Sequence, residues 1–398
     1  MENKINSMIL TANIGSASKK YSLLRDAKEV LSAHFEREGK NCIVTWNKDD
    51  TLSKEVIRVE QYDQAAHLVI AHTKQHGPPT AIGIRVVAPG AYFAKHQKIT
   101  PEFIDLLTKA QEFAPLHIAA TLTEIKELQK LFPNVPIVAA SDSAFHATLP
   151  AVAATYALPR EYTEKFELRR FGYHGLSLAS IVEKLRAADG SLPEKTIVCH
   201  LGSGSSITAL KDGISIETSM GYSPLEGLVM STRSGSIDPA VVLLLAEKSG
   251  LSLRELEKKL NSESGLLAIG GSNDIRELLK MEKKGDENAA FALELFCYRV
   301  RQQIGAYAAT LGGVDALVFT GTIGERSAII RERILSGLEF LKIKLASRAN
   351  AKLLGGADGL VSKPGAKTAI YALQPDEAGE IAIVIQNTIA TIPPVRLY

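Results

Sequence analysis

Short apolar runs that end in glycine- and serine-rich turns and then give way to helical segments recur along the chain, and that alternation predicts an α/β architecture. Three such units stand out: Met8 to Ser18, Thr196 to Ser206, and Val314 to Glu325. In the first two, Asn13-Ile-Gly-Ser-Ala-Ser18 and His200-Leu-Gly-Ser-Gly-Ser205 look like copies of one device. Each follows an apolar run and precedes a second (Tyr21 to Leu24; Ile207 to Leu210), so each reads as a hairpin with a glycine-rich turn. The pair suggests a duplicated, two-domain fold. The third unit is approached by Leu293, Phe296, Cys297, Val300, Ile304, Tyr307, Ala308 and Leu311 at helical spacing, ended by Gly312-Gly313. A strand, Ala316 to Phe319, then opens into Thr320-Gly-Thr-Ile-Gly-Glu325, and Ser327-Ala-Ile-Ile-Arg331 restarts a helix. Ligands of open α/β sheets sit beyond the carboxyl ends of strands, where these glycine turns fall.

Length and charge narrow the reading. A chain of 398 residues exceeds one compact core and argues for two domains or three. Its 46 Lys+Arg against 44 Asp+Glu leave a formal charge of +2, far from the basic excess of a nucleic-acid surface, so no nucleic-acid partner is expected. Cys42, Cys199 and Cys297 lack metal-ligand spacing and read as thiols in a reducing compartment. Met1 to Ser7 carries both signs of charge and leads into only a short apolar run, so no signal peptide is expected. No stretch approaches the roughly 18 apolar residues of a membrane helix. A cytoplasmic protein with no membrane partner is the expectation.

The chemistry lies in the turns and beside them. Glycine and serine let phosphate oxygens approach backbone N–H groups and hydroxyls closely. One such turn is usually an ordinary hairpin; three, each after a strand, point to a nucleotide. Neither the phosphate loop ending in Gly-Lys-Ser/Thr nor Gly-x-Gly-x-x-Gly is present. Arg85 closes the run Ile84-Arg-Val-Val87, and Arg233 stands among turn formers in Met230-Ser-Thr-Arg-Ser-Gly-Ser-Ile-Asp-Pro239. Arginine suits two-point recognition of carboxylate or phosphate, although singly such a residue is more often a surface ion pair. Asp142 and His146 follow the run Ile137 to Ala140, and His174 sits in the turn Arg169-Arg-Phe-Gly-Tyr-His-Gly175.

Over essentially its whole length the chain resembles the acetate kinase family. The longest match is Glu217-Thr-Ser-Met-Gly-Tyr-Ser-Pro-Leu-Glu-Gly-Leu-Val-Met-Ser-Thr-Arg-Ser-Gly-Ser-Ile-Asp-Pro-Ala240. Beside it stand Asn13 to Lys20, Asp142 to Pro150, Arg170 to Gly175, His200 to Gly204, Ser264 to Leu267, Asp274 to Arg276, and Thr322 to Glu325. The resemblance implies two duplicated actin-like ATPase (ribonuclease H-like) domains with an interdomain active-site cleft. The N-terminal domain would span 1–150, completed by about 378–398, and the nucleotide-binding domain 151–377. It implies ATP-dependent, reversible phosphorylation of a short carboxylate, acetate before propionate, by a homodimer using Mg2+, with Mn2+ as alternative. Arg85 and Arg233 would hold carboxylate and phosphoryl groups, Asp142 and His174 would act at the transferring phosphorus, and Asn13 would lie by the metal. Ser16 and Lys20 would complete the first phosphate turn, and His200, Leu201, Gly202, Ser203 and Gly204 would form the second. Asp274, Ile275, Arg276 and the turn Thr322, Ile323, Gly324, Glu325, Arg326 would flank ribose and adenine. Val87, Leu116, Tyr173 and Pro224 match the acyl pocket and imply a short acid.

The chain departs from the family pattern in places. The histidine–asparagine–diproline segment reads His117-Ile-Ala-Ala-Thr121; Ile84 and Ala88 flank Arg85 in place of histidines; Leu178 and Ser203 replace histidine and asparagine. The register of Asp376-Glu-Ala-Gly-Glu-Ile-Ala382 puts Ala378 at the metal position, so Glu377 is assigned there, with Glu380 as alternative. A diverged nucleotide-binding protein of the same fold with little turnover is the second functional expectation.

Overall fold

The computed structural model describes residues 8–15, 18–38, 41–49, 51–73, 76–111, 115–353 and 355–390. The chain divides into two units, Met1–Ala144 with Asp376–Tyr398, and Phe145–Pro375.

The first unit is built on eight strands: β1 Met8–Ile14, β2 Ser18–Arg25, β3 Lys28–Glu38, β4 Asn41–Lys48, β5 Thr51–Ile57, β6 Ala81–Val86, β7 Gln97–Lys98 and β8 Ile137–Ser141. Their order is β5-β4-β3-β2-β1-β6-β8-β7. β1 pairs antiparallel with β2 and parallel with β6, and β6 runs parallel to β8. The central strands are nearly continuous apolar runs, as strands covered on both faces must be. The edge strand β5 is exposed along most of its length and carries Lys54 and Glu55, charges that discourage edge pairing.

The C-terminal helix Glu377–Ala390 belongs to this unit for a packing reason. A Cβ on Gly83 of β6 would fall 2.3 Å from Ile381 and 2.6 Å from Ile385, so the glycine lets the helix lie directly on the sheet. Ile381 and Ile385 are buried there, each contributing about 1.5–3 kcal/mol.

The second unit holds β9 Lys195–Leu201, β10 Ser205–Lys211, β11 Ile214–Thr218, β12 Ala316–Thr320, β13 Gly359–Leu360 and β14 Ala369–Ala372, in the order β11-β10-β9-β12-β14-β13. β9 is antiparallel to β10 and parallel to β12, which is parallel to β14. The order β3-β2-β1-β6-β8 in the first unit is thus repeated as β11-β10-β9-β12-β14 in the second. Both glycine-turn hairpins are present, β1–β2 and β9–β10, and the repeat is the duplicated actin-like architecture that the resemblance implies. Behind the second sheet lies the helix Glu287–Leu311, started by Asp286, whose side chain accepts from the Ala289 N–H, and ended by Gly312 at φ 67°. The eight residues at helical spacing are all buried in it.

Candidate active site

In the first unit the candidate side chains stand at the carboxyl ends of β1, β6 and β8 and at the start of the C-terminal helix. Arg85 makes a two-point bond to Asp142, Nε to Oδ1 at 3.0 Å and a terminal nitrogen to Oδ2 at 2.7 Å. Its other terminal nitrogen donates to Asn13 Oδ1 at 3.1 Å. The Asn13 amide donates in turn to Glu377 Oε2 at 2.5 Å. Asp142 is fully buried, and its own N–H donates to the Val86 carbonyl at 2.9 Å, fixing where β8 ends against β6. Burial opposes the charge on Arg85, and the Asp142 and Glu377 carboxylates outweigh it, holding the guanidinium above its ordinary value. Lys20 is the ladder partner of Asn13, so both side chains share one face of the sheet. Lys19, on the other face, pairs with Glu124 at 3.0 Å. Val87 is buried just past β6. Ser16 lies outside the described residues, as does the side chain of Leu116, whose backbone is in the helix Pro115–Leu131.

In the second unit, His174 precedes the helix Gly175–Asp189 in a left-handed conformation, φ 63°, a costly one for histidine. Neighbours impose it. His146 bonds the Tyr173 carbonyl at 2.9 Å and Ser215 at 2.9 Å, and its ring lies 2.6 Å from where a Cβ on Gly172 (φ 74°) would stand. The His174 ring stacks on His200 at 4.0 Å between centroids. His174 Nδ1 meets Ser206 Oγ at 2.9 Å, and His200 Nδ1 meets Ser177 Oγ at 2.8 Å. A Cβ on Gly204 would stand 3.3 Å from both His174 Nε2 and an Arg233 terminal nitrogen, so histidine, arginine and the glycine turn converge. That Arg233 nitrogen also donates to the Pro224 carbonyl at 3.3 Å, and the Tyr173 hydroxyl donates to the Tyr222 carbonyl at 2.6 Å.

The β9–β10 turn is closed by Gly202 N–H to the Gly204 carbonyl, 3.1 Å, and Ser205 Oγ to the Gly202 carbonyl, 3.1 Å. Leu201 is core, Ser203 is exposed, and Thr322 lies against Gly202. The segment after β12 is not the open turn that its glycines suggest: Gly321–Arg326 is a short helix. Gly321, at φ 74°, lets it abut Leu201, whose carbonyl oxygen would be 2.6 Å from a Cβ. Asp274 caps the helix Ile275–Lys283 through the Arg276 N–H and binds the Arg276 guanidinium, whose donors lower its pKa first among several causes. Ile275 is in the core.

Sequence reading missed Arg331. It is fully buried on the helix Ala328–Leu335 and donates to the carbonyls of Gly324 (2.8 Å), Glu325 (2.9 Å) and Asn350 (3.2 Å) and to Asn350 Oδ1 (2.7 Å). It thereby satisfies the end of the Gly321–Arg326 helix, and burial pushes its pKa down to about 10. The available signal was an arginine at the position of an apolar helix face beside Ile330 and Ile334. Leu178, read in the sequence as a missing histidine, packs in an apolar cluster with Ile181, Val198, Val318 and Leu373.

Comparison with known proteins agrees with this fold. The acetokinase family pattern matches residues 8–384. Acetate kinase of Bacillus cytotoxicus is 38% identical over 388 residues, covering 94% of this chain and 97% of that protein. Acetate kinase of Carboxydothermus hydrogenoformans is 40% identical over 393 residues, with the same shares covered. Among solved structures, a propionate kinase from Francisella tularensis superposes with a TM-score of 0.87 at 36% identity, covering 96% of this chain and 99% of that one. Porphyromonas gingivalis acetate kinase gives 0.84 at 32%, covering 96% and 100%. The chain belongs to the acetokinase family.

Proposed function

We propose that the chain transfers a phosphoryl group reversibly between ATP and a short carboxylate, acetate first and propionate next, by direct in-line transfer. The observation that carries this is the Arg85–Asp142–Asn13–Glu377 network at the strand ends, in a chain of this family. A carboxylic acid is already ionised near neutral pH, so no base is needed to activate it. Asp142 serves instead to orient the guanidinium of Arg85, which holds the acid. Arg233 and His174 act on the transferring phosphoryl group, whose charge spreads over three equatorial oxygens. In the tautomer in which the Ser206 hydroxyl donates to Nδ1, the ring proton of His174 sits on Nε2, facing Gly204 and Arg233, where it can donate to a phosphoryl oxygen. The β9–β10 turn and the Gly321–Arg326 helix receive the nucleotide, with Asp274 and Arg276 beside it.

Among the described residues no group of three or more His, Cys, Asp or Glu forms a metal cage. Magnesium needs none, because it keeps several waters and takes one or two carboxylates plus phosphate oxygens. The hard oxygens of Asn13, Asp142 and Glu377 fit that requirement, and these residues would hold the ion. When bound, it would neutralise phosphate charge.

A magnesium-dependent hydroxamate assay tests the reading: acetate and propionate form acyl phosphate, and butyrate falls away, one methylene being worth about 1–3 kcal/mol. Val87→Ala shifts kcat/KM toward butyrate. Nucleotide binding without any acyl phosphate would leave the family fold but not the activity.

Self-association is part of the proposal. The helix Pro239–Lys248 buries none of its residues, and Val241, Leu243, Leu244 and Leu245 are 45%, 71%, 56% and 38% exposed. An apolar face of that kind fits a second copy. Leu244→Glu yields a monomer by sedimentation, and an unchanged mass would exclude this face. No helix among the described residues is long and apolar enough to cross a membrane. The three buried free cysteines support a reducing, cytoplasmic compartment, which recovery of the chain in a secreted fraction would contradict.

A further inference from the structure

A second polar cluster lies in the Phe145–Pro375 unit, and its Tyr156, Arg170 and Glu226 have none of the roles above. The backbone of Tyr222 is held at both its polar groups: its N–H donates to Tyr156 Oη at 2.8 Å, and its carbonyl accepts from Tyr173 Oη at 2.6 Å. The Tyr156 hydroxyl donates to Glu226 Oε2 through a short bond. Glu226 Oε1 takes an Arg170 terminal nitrogen at 2.8 Å. Arg170 also donates to the carbonyls of Thr218 and Ser219, both at 3.2 Å, and of Ala153 at 3.3 Å, and stands 5.7 Å over the Tyr156 ring. Gly221 is what allows this closeness, since a Cβ there would fall 1.6 Å from Glu226 Oε2 and 2.1 Å from Tyr156 Oη.

This bracket ties together two segments. Arg170 opens the Arg170-Phe-Gly-Tyr-His174 segment that delivers His174, and the Phe171 and Gly172 N–H groups both donate to the Gly221 carbonyl, at 3.1 and 3.3 Å. Glu226 and Tyr222 lie in the loop that leads to Arg233, and the Pro224 carbonyl accepts from Arg233 at 3.3 Å. We propose that Tyr156, Glu226 and Arg170 are positioning residues for phosphoryl transfer: they fix the Tyr222–Pro224 backbone, and through the Pro224 carbonyl they set the guanidinium of Arg233. The bonds are charge-assisted at the Arg170–Glu226 end, so they resist the rearrangements that neutral turn contacts allow. Burial and the adjacent Glu226 keep the Tyr156 phenol protonated across the working range, so it can donate to Glu226 while accepting from Tyr222.

The proposal rests on the role given to Arg233, and a double-mutant cycle separates the two. Tyr156→Phe removes one oxygen; kcat falls about tenfold while KM for ATP moves less than about twofold. In an Arg233→Lys background the same change costs less than about twofold, because the group it serves is already altered. Glu226→Gln, which keeps the shape of the side chain, behaves likewise with a smaller loss, and covers the case of Tyr156→Phe failing to fold. Equal losses in both backgrounds, or an unchanged kcat in a folded Tyr156→Phe protein, overturn the positioning role. Should Arg233→Lys alone leave kcat unchanged, it is the assignment of Arg233 that fails.

Discussion

The two sheets share a five-strand scaffold and present opposite chemistry at equivalent strand ends. At the ends of β1, β6 and β8 the first unit places side chains that bond one another, Asn13, Arg85 and Asp142. At the ends of β9 and β12 the second unit places backbone, Gly202, Gly204 and Gly321, with His174 and Arg233 brought to it from other segments. The glycine turns differ in what they face rather than in how tightly they close. Among the described residues, a Cβ on Gly15 or on its counterpart Gly202 would meet a carbonyl oxygen of its own turn at 3.4 Å, whereas one on Gly204 would face the Arg233 and His174 side chains at 3.3 Å, and one on Gly321 would meet the Leu201 backbone at 2.6 Å. A repeated scaffold therefore fixes where a site is built. It leaves open whether side-chain charge or close backbone approach does the recognising.

The strongest way to break this contrast is Arg233→Lys. Lysine keeps the charge and loses the planar two-point donor, so kcat falls on the order of a thousandfold while KM for ATP changes by less than about threefold. Steady-state kinetics decide it. Next comes the pair of glycines. Gly204→Ala pushes on Arg233 and His174 and lowers kcat about tenfold, while Gly15→Ala, whose added methyl meets Ser18 of its own turn, stays within about twofold. Equal effects would erase the distinction between the turns. The smallest expected effect concerns the metal. Glu377→Gln raises the magnesium concentration for half activity about fivefold, and Glu380→Gln leaves it within about a factor of 1.5. The reverse order would move the ligand to Glu380, and no response from either would leave the ion to Asn13, Asp142 and phosphate.

Much of the architecture was legible because central strands, covered on both faces, are nearly continuous apolar runs. Met8–Ile14, Ile137–Ser141 and Ala316–Thr320 announce themselves, and the buried face of Glu287–Leu311 repeats at helical spacing up to its glycine cap. The repeat of the hairpin was readable from its two glycine turns. What stayed hidden depends on distant pairing. Asn13 and Glu377 meet across 364 positions, and no local pattern signals it. Arg331 reads as one more surface charge until the carbonyls it caps are in place. The glycines of Gly321–Arg326 suggested an open turn, because φ 74° at Gly321 marks where the chain enters a helix and not where it loops. Leu178 looked like a loss in the sequence, yet its surroundings are apolar, so leucine satisfies the site as a core position.

The contact at Gly221 bears on how such a chain can be altered over generations. Any single-base change in a glycine codon that encodes a different amino acid adds a Cβ. At this position that atom falls within 1.6 Å of the Glu226 carboxylate and 2.1 Å of the Tyr156 hydroxyl. The substitution therefore forces the Glu226 and Tyr156 side chains out of the bracket, whereas Glu226 and Tyr156 can be shortened while glycine is still present. A lineage that retains the bracket is held to glycine at 221 by its own earlier choices, whatever the selection on the loop itself.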